Sequence, residues 1–402
     1  MSFKFKRRVL SNGMTLIFEK RDLPVVSVAF AVRNGGINET LKEKGISHYI
    51  EHMLYKGTPS RSSHKIAQEI EKNGGILNGF TDEAITAYWC KVPSKHLDVA
   101  LDVLSDMMKN PKFDKTELEK ERKVIFEEIK MRRDNPRVYV FDEIKNHLYE
   151  KPFGPSLIGT EENMNKINRD EIISKFEEIY VPENMILSVV GDADFEKLVL
   201  YVEKNFEKKK GSVPQIEIRM KNGSDIEERV GIDQSNLILA HHVPLVGDKK
   251  SYAAKVLNVL MGGGMSSRLF SEIREKRNLA YAIKGDCEIN EKFAYNLIYA
   301  GTTKENVEVV KKLILDEYEK VAKELSEDEL KEVKEQIIGN HQISMEDSES
   351  QMVSLLYSEI NGNAEEFYEF EKNISEVKLE DVKKLASKVK DNFSFFALIP
   401  KE

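Results

Sequence analysis

Two histidines four residues apart, His48 and His52, bracket a glutamate, Glu51, in the stretch GISHYIEHMLYKGT, Gly45 to Thr58. On an α-helix, residues i and i+4 project from one face, so both imidazoles can reach a single ion, as a zinc site requires of two histidine ligands. Glu51 lies one residue before His52, about 100° round the axis, and so flanks such an ion without having to bind it. A general base acting on water beside a metal belongs there. The third ligand has to come from elsewhere. The segment DKTELEKERKVIFEEIKMRRDNP carries Glu121 and Glu128 two helical turns apart on one face, while Glu127 is turned away by about 100°. Stacked carboxylates of this kind are ligands in some proteins and solvated surface in others, and periodicity leaves that choice open.

Turn and cap signals outline the elements that must position these groups. VLSNGMTLIFEK has an Asn-Gly turn between apolar runs, and VVSVAFAVRNGG, Val25 to Gly36, is β-branched and ends on a glycine pair; both read as strands. A helix starting near Gly45 then carries the histidines. SSHKIAQEIEKNGG reads as a second helix, capped by Ser62 or Ser63 and stopped by Gly74 and Gly75. Two strands follow in ILNGFTDEAITAYWCKVP, then a helix ended by Pro111. The long helix of Glu121 and Glu128 is opened by Asp114 or Thr116 and stopped by Asp134, Asn135 and Pro136. Met185 to Asp194 reads as a buried strand, and Lys208 to Gly223, with KKKGSVP and KNGS, is the most linker-like stretch.

Beyond the linker the order repeats. NLILAHHVP parallels VVSVAFAVR, SYAAKVLNVLMGGG parallels ISHYIEHMLYKG, and LFSEIREKRN parallels KIAQEIEKNGG. LSEDELKEVKEQIIGNHQ parallels FDKTELEKERKVIFEEIK, and SFFALIP parallels LSVVGDA. These pairs predict an α+β fold of two homologous halves, residues 1–210 and 221–402, joined by a linker at 208–223, each a mainly antiparallel β-sheet packed with α-helices. The second half has no His-x-x-Glu-His, and Asn340 stands where the first has Glu128, so only the first half is expected to hold a metal. His241 and His242 are neighbours on a strand and point to opposite faces, which excludes a shared ion. MGGGMSS lacks the Lys-Ser/Thr ending of a phosphate loop and reads as a turn.

Composition narrows the classes. A chain of 402 residues is long enough for two domains with cores of their own. No apolar run reaches the roughly 18 residues that would span a bilayer. The N-terminal apolar stretch is broken by Ser11, Asn12 and Gly13, which makes it strand and turn rather than a secretory signal. A net charge of −8 argues against a nucleic-acid partner. Cys90 and Cys287, far apart in a Lys- and Glu-rich chain, read as core thiols in a reducing cytoplasm.

HYIEH, followed 76 residues after His52 by Glu128 within ERKVIFEEIKMRRDNP, resembles the pitrilysin-type inverzincins, the family of insulin-degrading enzyme and mitochondrial processing peptidase, here as a short two-half member of bacterial type. The resemblance runs from VLSNGMTLIF through KPFGPSLIGT to the last strand. It implies a zinc metalloendopeptidase with one Zn2+ per chain held by His48, His52 and Glu128, with Glu51 activating water and Glu121 steadying a zinc-bound histidine from behind. NGGILNGFTDEAITAYW is similar to the family's edge strand beside the zinc, to which a peptide adds as a further strand, so that Asn78, Gly79 and Phe80 would bind substrate. The family commonly has Asn-Ala where this chain has Asn78-Gly79, which leaves Gly79 unexplained. SSRLFSEIREKRNLAYAI resembles the family's Arg-Tyr motif, and implies that Arg274 and Tyr281 stabilise the oxyanion of the scissile carbonyl. By residue type alone, the pair reads as a helix-surface charge and a core aromatic on a strand.

Longer relatives close a chamber with four such halves in one chain. With two, this chain is expected to form half of a clamshell peptidase chamber, completed as a homodimer or as a heterodimer with a degenerate homologue. Its expected substrates are peptides and unfolded protein segments, with no nucleic-acid or membrane partner. The rival is a non-catalytic partner or scaffold subunit of a processing-peptidase-like assembly, as some relatives are. Such members usually lose motif residues, and none is lost here.

Overall fold

The computed structural model describes residues 4–401 and divides into two compact units. The first comprises Met1–Ile129, Ser156–Glu217 and Ser344–Phe367. Its strands are β1 (Lys4–Val9), β2 (Thr15–Lys20), β3 (Val25–Val32), β4 (Ile76–Thr81), β5 (Thr86–Pro93) and β6 (Met185–Gly191), paired in the order β1-β2-β6-β3-β5-β4. All neighbours are antiparallel except β2 and β6. β3 and β6 lie inside the sheet and are covered on both faces, which is why both read as nearly continuous apolar runs. Val26, Val28, Phe30 and Val32 join Leu187 and Val189 in the main core. On the helical side, α1 (Ile46–Leu54) packs on β4 and β5, α3 (Leu97–Lys109) packs on β3 and β5, and α2 (Ser63–Glu71) lies against α3 and β4.

The opposite face of this sheet, with Ser27, Ala29, Ala31, Ser188 and Val190 fully buried, is covered by a helix from far along the chain, Ser348–Ile360. The Ser27 and Ser348 hydroxyls meet at 2.9 Å, and Gln351 donates to the buried Glu19 carboxylate at 2.8 Å. Arg7 and Arg33 both pair with buried Glu359, at 2.8 and 2.7 Å. A carboxylate taken out of water needs such partners.

The second unit comprises Lys130–Pro155, Ile218–Ile343 and Tyr368–Glu402. Its strands are β7 (Ser224–Arg229), β8 (Ser235–His242), β9 (Ala280–Ile289), β10 (Ala294–Thr302) and β11 (Ser394–Pro400), in the order β7-β11-β8-β10-β9. Strand for strand this repeats β2-β6-β3-β5-β4, down to the one parallel pair, β7 with β11. The duplication expected from the paired sequence landmarks is therefore present in the topology. Helices Lys250–Gly262 and Val307–Glu324 pack on one face of the sheet, and α5 (Pro136–Leu148) packs on β8 and β11. The break at Asn135-Pro136 that ends α4 (Lys115–Asp134) starts α5 at once: the Asn135 side chain accepts from the amides of Arg137 and Val138, and proline occupies the first turn.

These units differ from the contiguous halves expected at 1–210 and 221–402. α5 belongs with the second sheet and Ser348–Ile360 with the first. An amphipathic pattern shows that one helix face is buried and is silent about which sheet buries it. The boundary within the expected linker falls between Glu217 and Ile218.

The strand geometry separates the adjacent histidines as expected. His241 is buried with its ring edge-on to Tyr318 at 5.4 Å, and burial pushes its pKa down to about 4; His242 faces the other way, its Nε2 3.0 Å from the Lys221 carbonyl oxygen. Cys90 is buried, Cys287 half-buried, and neither forms a disulfide. No helix among the described residues is long and apolar enough to cross a membrane.

Candidate metal centre

The helix that carries the two histidines starts at Gly45 as expected and is anchored there by Glu39, which sequence reading did not single out. Gly45 caps α1 with φ +96°, a conformation that favours glycine, and a Cβ there would come within 2.7 Å of the Ile158 carbonyl oxygen. Because Gly45 has no side chain to cap with, the buried Glu39 carboxylate does so, accepting from the amides of Gly45 (3.0 Å) and Ser47 (2.8 Å). Burial pushes the Glu39 carboxyl up, against the pull of the buried Lys44 ammonium 4.0 Å away and of the two amides.

One turn on, His48 and His52 bring their Nε2 atoms to 3.2 Å, and each lies 3.6 Å from Oε2 of Glu128 on α4. These three are the one cluster of potential ligands among the described residues in which three donor atoms converge within 4.8 Å. Tetrahedral zinc with ligands at roughly 2.0–2.1 Å spaces its donors about 3.3–3.4 Å apart, so two nitrogens and an oxygen at 3.2, 3.6 and 3.6 Å fit that ion with little adjustment. The protonation pattern fits too. Nδ1 of His52 lies 3.1 Å from Oε2 of Glu121, a contact that keeps the ring proton on Nδ1 and leaves the Nε2 lone pair for a metal. Burial alone would lower the His52 pKa, but the Glu121 bond and the charges of Glu128 and Glu51 outweigh it and raise it. Glu121 is held down, its burial outweighed by its bonds to His52 and Lys56. Glu127 is exposed and lies outside the cluster.

Glu51 is held from the neighbouring strand: the Thr81 hydroxyl donates to its Oε2 at 2.8 Å. Burial pushes Glu51 up, opposed by that bond and by the nearby His52. A carboxylate with a raised pKa is better placed to accept a proton near neutrality than an exposed one. Thr81 ends β4, which pairs with β5 on one side and is the edge of its sheet on the other. Leu77, Gly79 and Thr81 alternate toward α1, while Asn78 and Phe80 point away. Asn78 is exposed and its side-chain oxygen accepts from the Gly79 amide at 2.8 Å; the Phe80 ring stacks on Tyr357 at 6.1 Å.

The structure explains Gly79. A Cβ at that position would lie 2.3 Å from the hydroxyl of Tyr55, the residue that closes α1, and 2.8 Å from the Ala87 carbonyl oxygen. Glycine fits because the Tyr55 hydroxyl and the Ala87 carbonyl oxygen together fill the space an alanine methyl would take. Gly79→Ala is therefore expected to lower stability by about 1–3 kcal/mol, as overpacking does. Tyr55→Phe in the same chain should recover part of the loss, the Ala87 contact remaining. Thermal melts of the four proteins check this; equal losses with and without the tyrosine hydroxyl would dissociate the two residues.

Arg274 and Tyr281 lie in the second unit. Arg274 is exposed on a π-helical turn, Phe270–Glu275, with its guanidinium 4.7 Å over the Phe270 ring. Tyr281, near the start of edge strand β9, is 45% exposed, so it is not the core aromatic its strand position alone suggested. Its ring lies against Gly301, where a Cβ would stand 2.4 Å from the hydroxyl.

Comparison with known proteins places the chain. Residues 15–161 match the model of the insulinase family (peptidase family M16), and residues 166–337 match that of the peptidase M16 inactive domain. An uncharacterized zinc protease of Bacillus subtilis (strain 168) is 32% identical over 352 residues, 86% of each chain. The chain belongs to peptidase family M16. At the level of fold, the M16 chain matches a protease from Helicobacter pylori with a TM-score of 0.92 (24% identity, 99% of this chain and 100% of that one) and a chain of complex III2 from Candida albicans with 0.87 (17%, 98% and 95%).

The two M16 domains part company in the helix that bears the motif. Helix Lys250–Gly262 of the second unit has no histidine or acidic residue, and it touches its edge strand backbone to backbone: a Cβ on Gly262 would meet the Gly285 amide nitrogen at 2.4 Å. Where the first unit has Tyr55 facing Gly79, the second has glycine on glycine.

Sequence reading missed Glu39, Tyr55, Lys56 and Thr81. Two had a signal. Lys56 continues the i, i+4 series of His48 and His52, and Thr81 lies two residues past Gly79 on the same strand face.

Proposed function

We propose that the chain is a zinc-dependent endopeptidase that hydrolyses peptides or unfolded protein segments. The observation that carries this reading is the convergence of His48, His52 and Glu128, with Glu51 held beside them and outside the donor set. Zinc held by these residues supplies Lewis acidity to a carbonyl oxygen and acidifies water. The rest falls to the protein. The open edge of β4 takes the substrate as an added strand through backbone hydrogen bonds, with Asn78, Gly79 and Phe80 along it. Glu51, steadied at one oxygen by Thr81, accepts the proton of the attacking water and returns it to the leaving amine. Arg274 and Tyr281 donate to the oxyanion as it forms.

In this reading the chain supplies half of a closed chamber and works as a homodimer in the cytoplasm, where two unpaired cysteines are at home. The second reading, a non-catalytic partner in a heteromeric assembly, draws on the likeness of the fold to a chain of complex III2 and on the inactive-domain match. The intact donor set favours the peptidase. Metal analysis and a digest decide between them: purified protein should hold about one zinc per chain, lose it on His52→Ala or Glu128→Gln, and cleave unstructured peptides until a chelator is added. Well-folded protein that takes up no metal and leaves every peptide whole would favour the partner subunit.

A further inference from the structure

We propose that Lys56 is a positioning residue of the metal centre, orienting His52 through Glu121. The inference rests on the zinc reading above. Lys56 follows His52 by four residues, in the turn that ends α1, where its amide donates to the Met53 carbonyl at 3.0 Å. Its Nζ lies 2.7 Å from Oε1 of Glu121, and the other oxygen, Oε2, lies 3.1 Å from Nδ1 of His52. Each oxygen of one carboxylate thus has its own partner, the ammonium on one side and the imidazole on the other. The side chain of Glu121 is 8% exposed and that of Lys56 26%, so the carboxylate is largely shielded from water and the lysine partly so.

The terminal torsion of a glutamate is broad and roughly two-fold, so a carboxylate tied only to an imidazole keeps rotational freedom about its last bond. An ammonium fixed on Oε1 removes that freedom and holds Oε2 in line with Nδ1. The effect is passed on because the Nδ1 contact sets which way the His52 ring faces, and Nε2 of that ring is one of the three converging donors. Lys56 touches none of the three donors itself. A lysine that only decorated the helix end would bear on stability and leave metal affinity alone.

The test is a double-mutant cycle read by zinc binding. Zinc is titrated against a competing chromogenic chelator into metal-free wild type, Lys56→Met, Lys56→Arg, Glu121→Gln and Lys56→Met/Glu121→Gln, with thermal melts of the metal-free proteins alongside. Lys56→Met is expected to weaken zinc binding about tenfold, the lower end for outer partners of a metal ligand, and Lys56→Arg to stay within about threefold of wild type. In the Glu121→Gln background the methionine should add less than about twofold, because the contact it removes is already gone. Lys56→Met that binds zinc as wild type does, or that costs the same factor in both backgrounds, would overturn the proposal. If Lys56→Met does not fold, Lys56→Gln takes its place in the same cycle. Wild-type protein that takes up no zinc at all is a different result, and it removes the metallopeptidase reading itself.

Discussion

Glu51→Gln is expected to lower kcat for peptide cleavage by about 10²–10⁴-fold, the range for loss of a positioned general base, while zinc content stays near one per chain. Glutamine keeps the shape of the side chain and an oxygen for the Thr81 hydroxyl, so α1 and β4 need not move. It cannot take a proton. In the proposed reading substrate docks along β4, so KM should change little, and a fall confined to kcat is the signature of a group that acts in the chemical step. Stability should move in the opposite direction. Burial raises the Glu51 pKa in the folded protein above the ordinary carboxylate value of the unfolded chain, so the native state loses stability as pH rises from the unfolded value through the folded one. Above that window the cost is complete, and the neutral amide avoids it. Metal-free Glu51→Gln should therefore melt higher than wild type at pH 7, with the difference closing below about pH 4. A variant that keeps more than a tenth of wild-type kcat would remove Glu51 from the role of base.

A fragment ending at Lys210 is expected not to fold cooperatively, even though it contains His48, His52 and Glu128 and all six strands of the first sheet. What it lacks is the helix Ser348–Ile360. Without that helix the sheet face of Ser27, Ala29, Ala31, Ser188 and Val190 is bare, and buried Glu19 and Glu359 contacts are gone with it. A contiguous exposed face of this kind leads to association. The fragment should bind a hydrophobic dye, aggregate, and melt without a sharp transition. Appending residues 344–367 through a flexible linker should reduce dye binding. A monomeric 1–210 fragment with a sharp melt would mean that α5, freed from the second sheet, can turn back and cover the first.

The contrast between these two predictions marks what the sequence made legible. The His48, Glu51, His52 series was readable because three positions on one helix obey a fixed rotation per residue. Glu128 was readable as one of two stacked carboxylates, and its assignment as ligand, with Glu121 behind a histidine, came from the family resemblance rather than from the residues. That the two halves repeat one succession of elements followed from the paired landmarks, whereas the order of strands within each sheet came only from the structure. So did the cover of each sheet. Ser348–Ile360 and α5 are ordinary amphipathic helices, and the exchange that places each on the sheet of the other half leaves no trace in their own periodicity. Gly79 resisted for a related reason: its explanation is the hydroxyl of Tyr55, a residue 24 positions earlier that lies beneath it only once α1 is docked on β4.

The late origin of that covering helix also bears on how the protein is made. The first sheet has all its strands once the ribosome has passed Gly191, yet the helix that shields its outer face begins only at Ser348, roughly 160 residues later. At about 5–20 residues per second, the face stays uncovered for on the order of 10–30 s in every round of synthesis. Through that interval the nascent chain carries all six strands of a sheet whose outer face has no cover, and that is where a ribosome-bound chaperone would be needed.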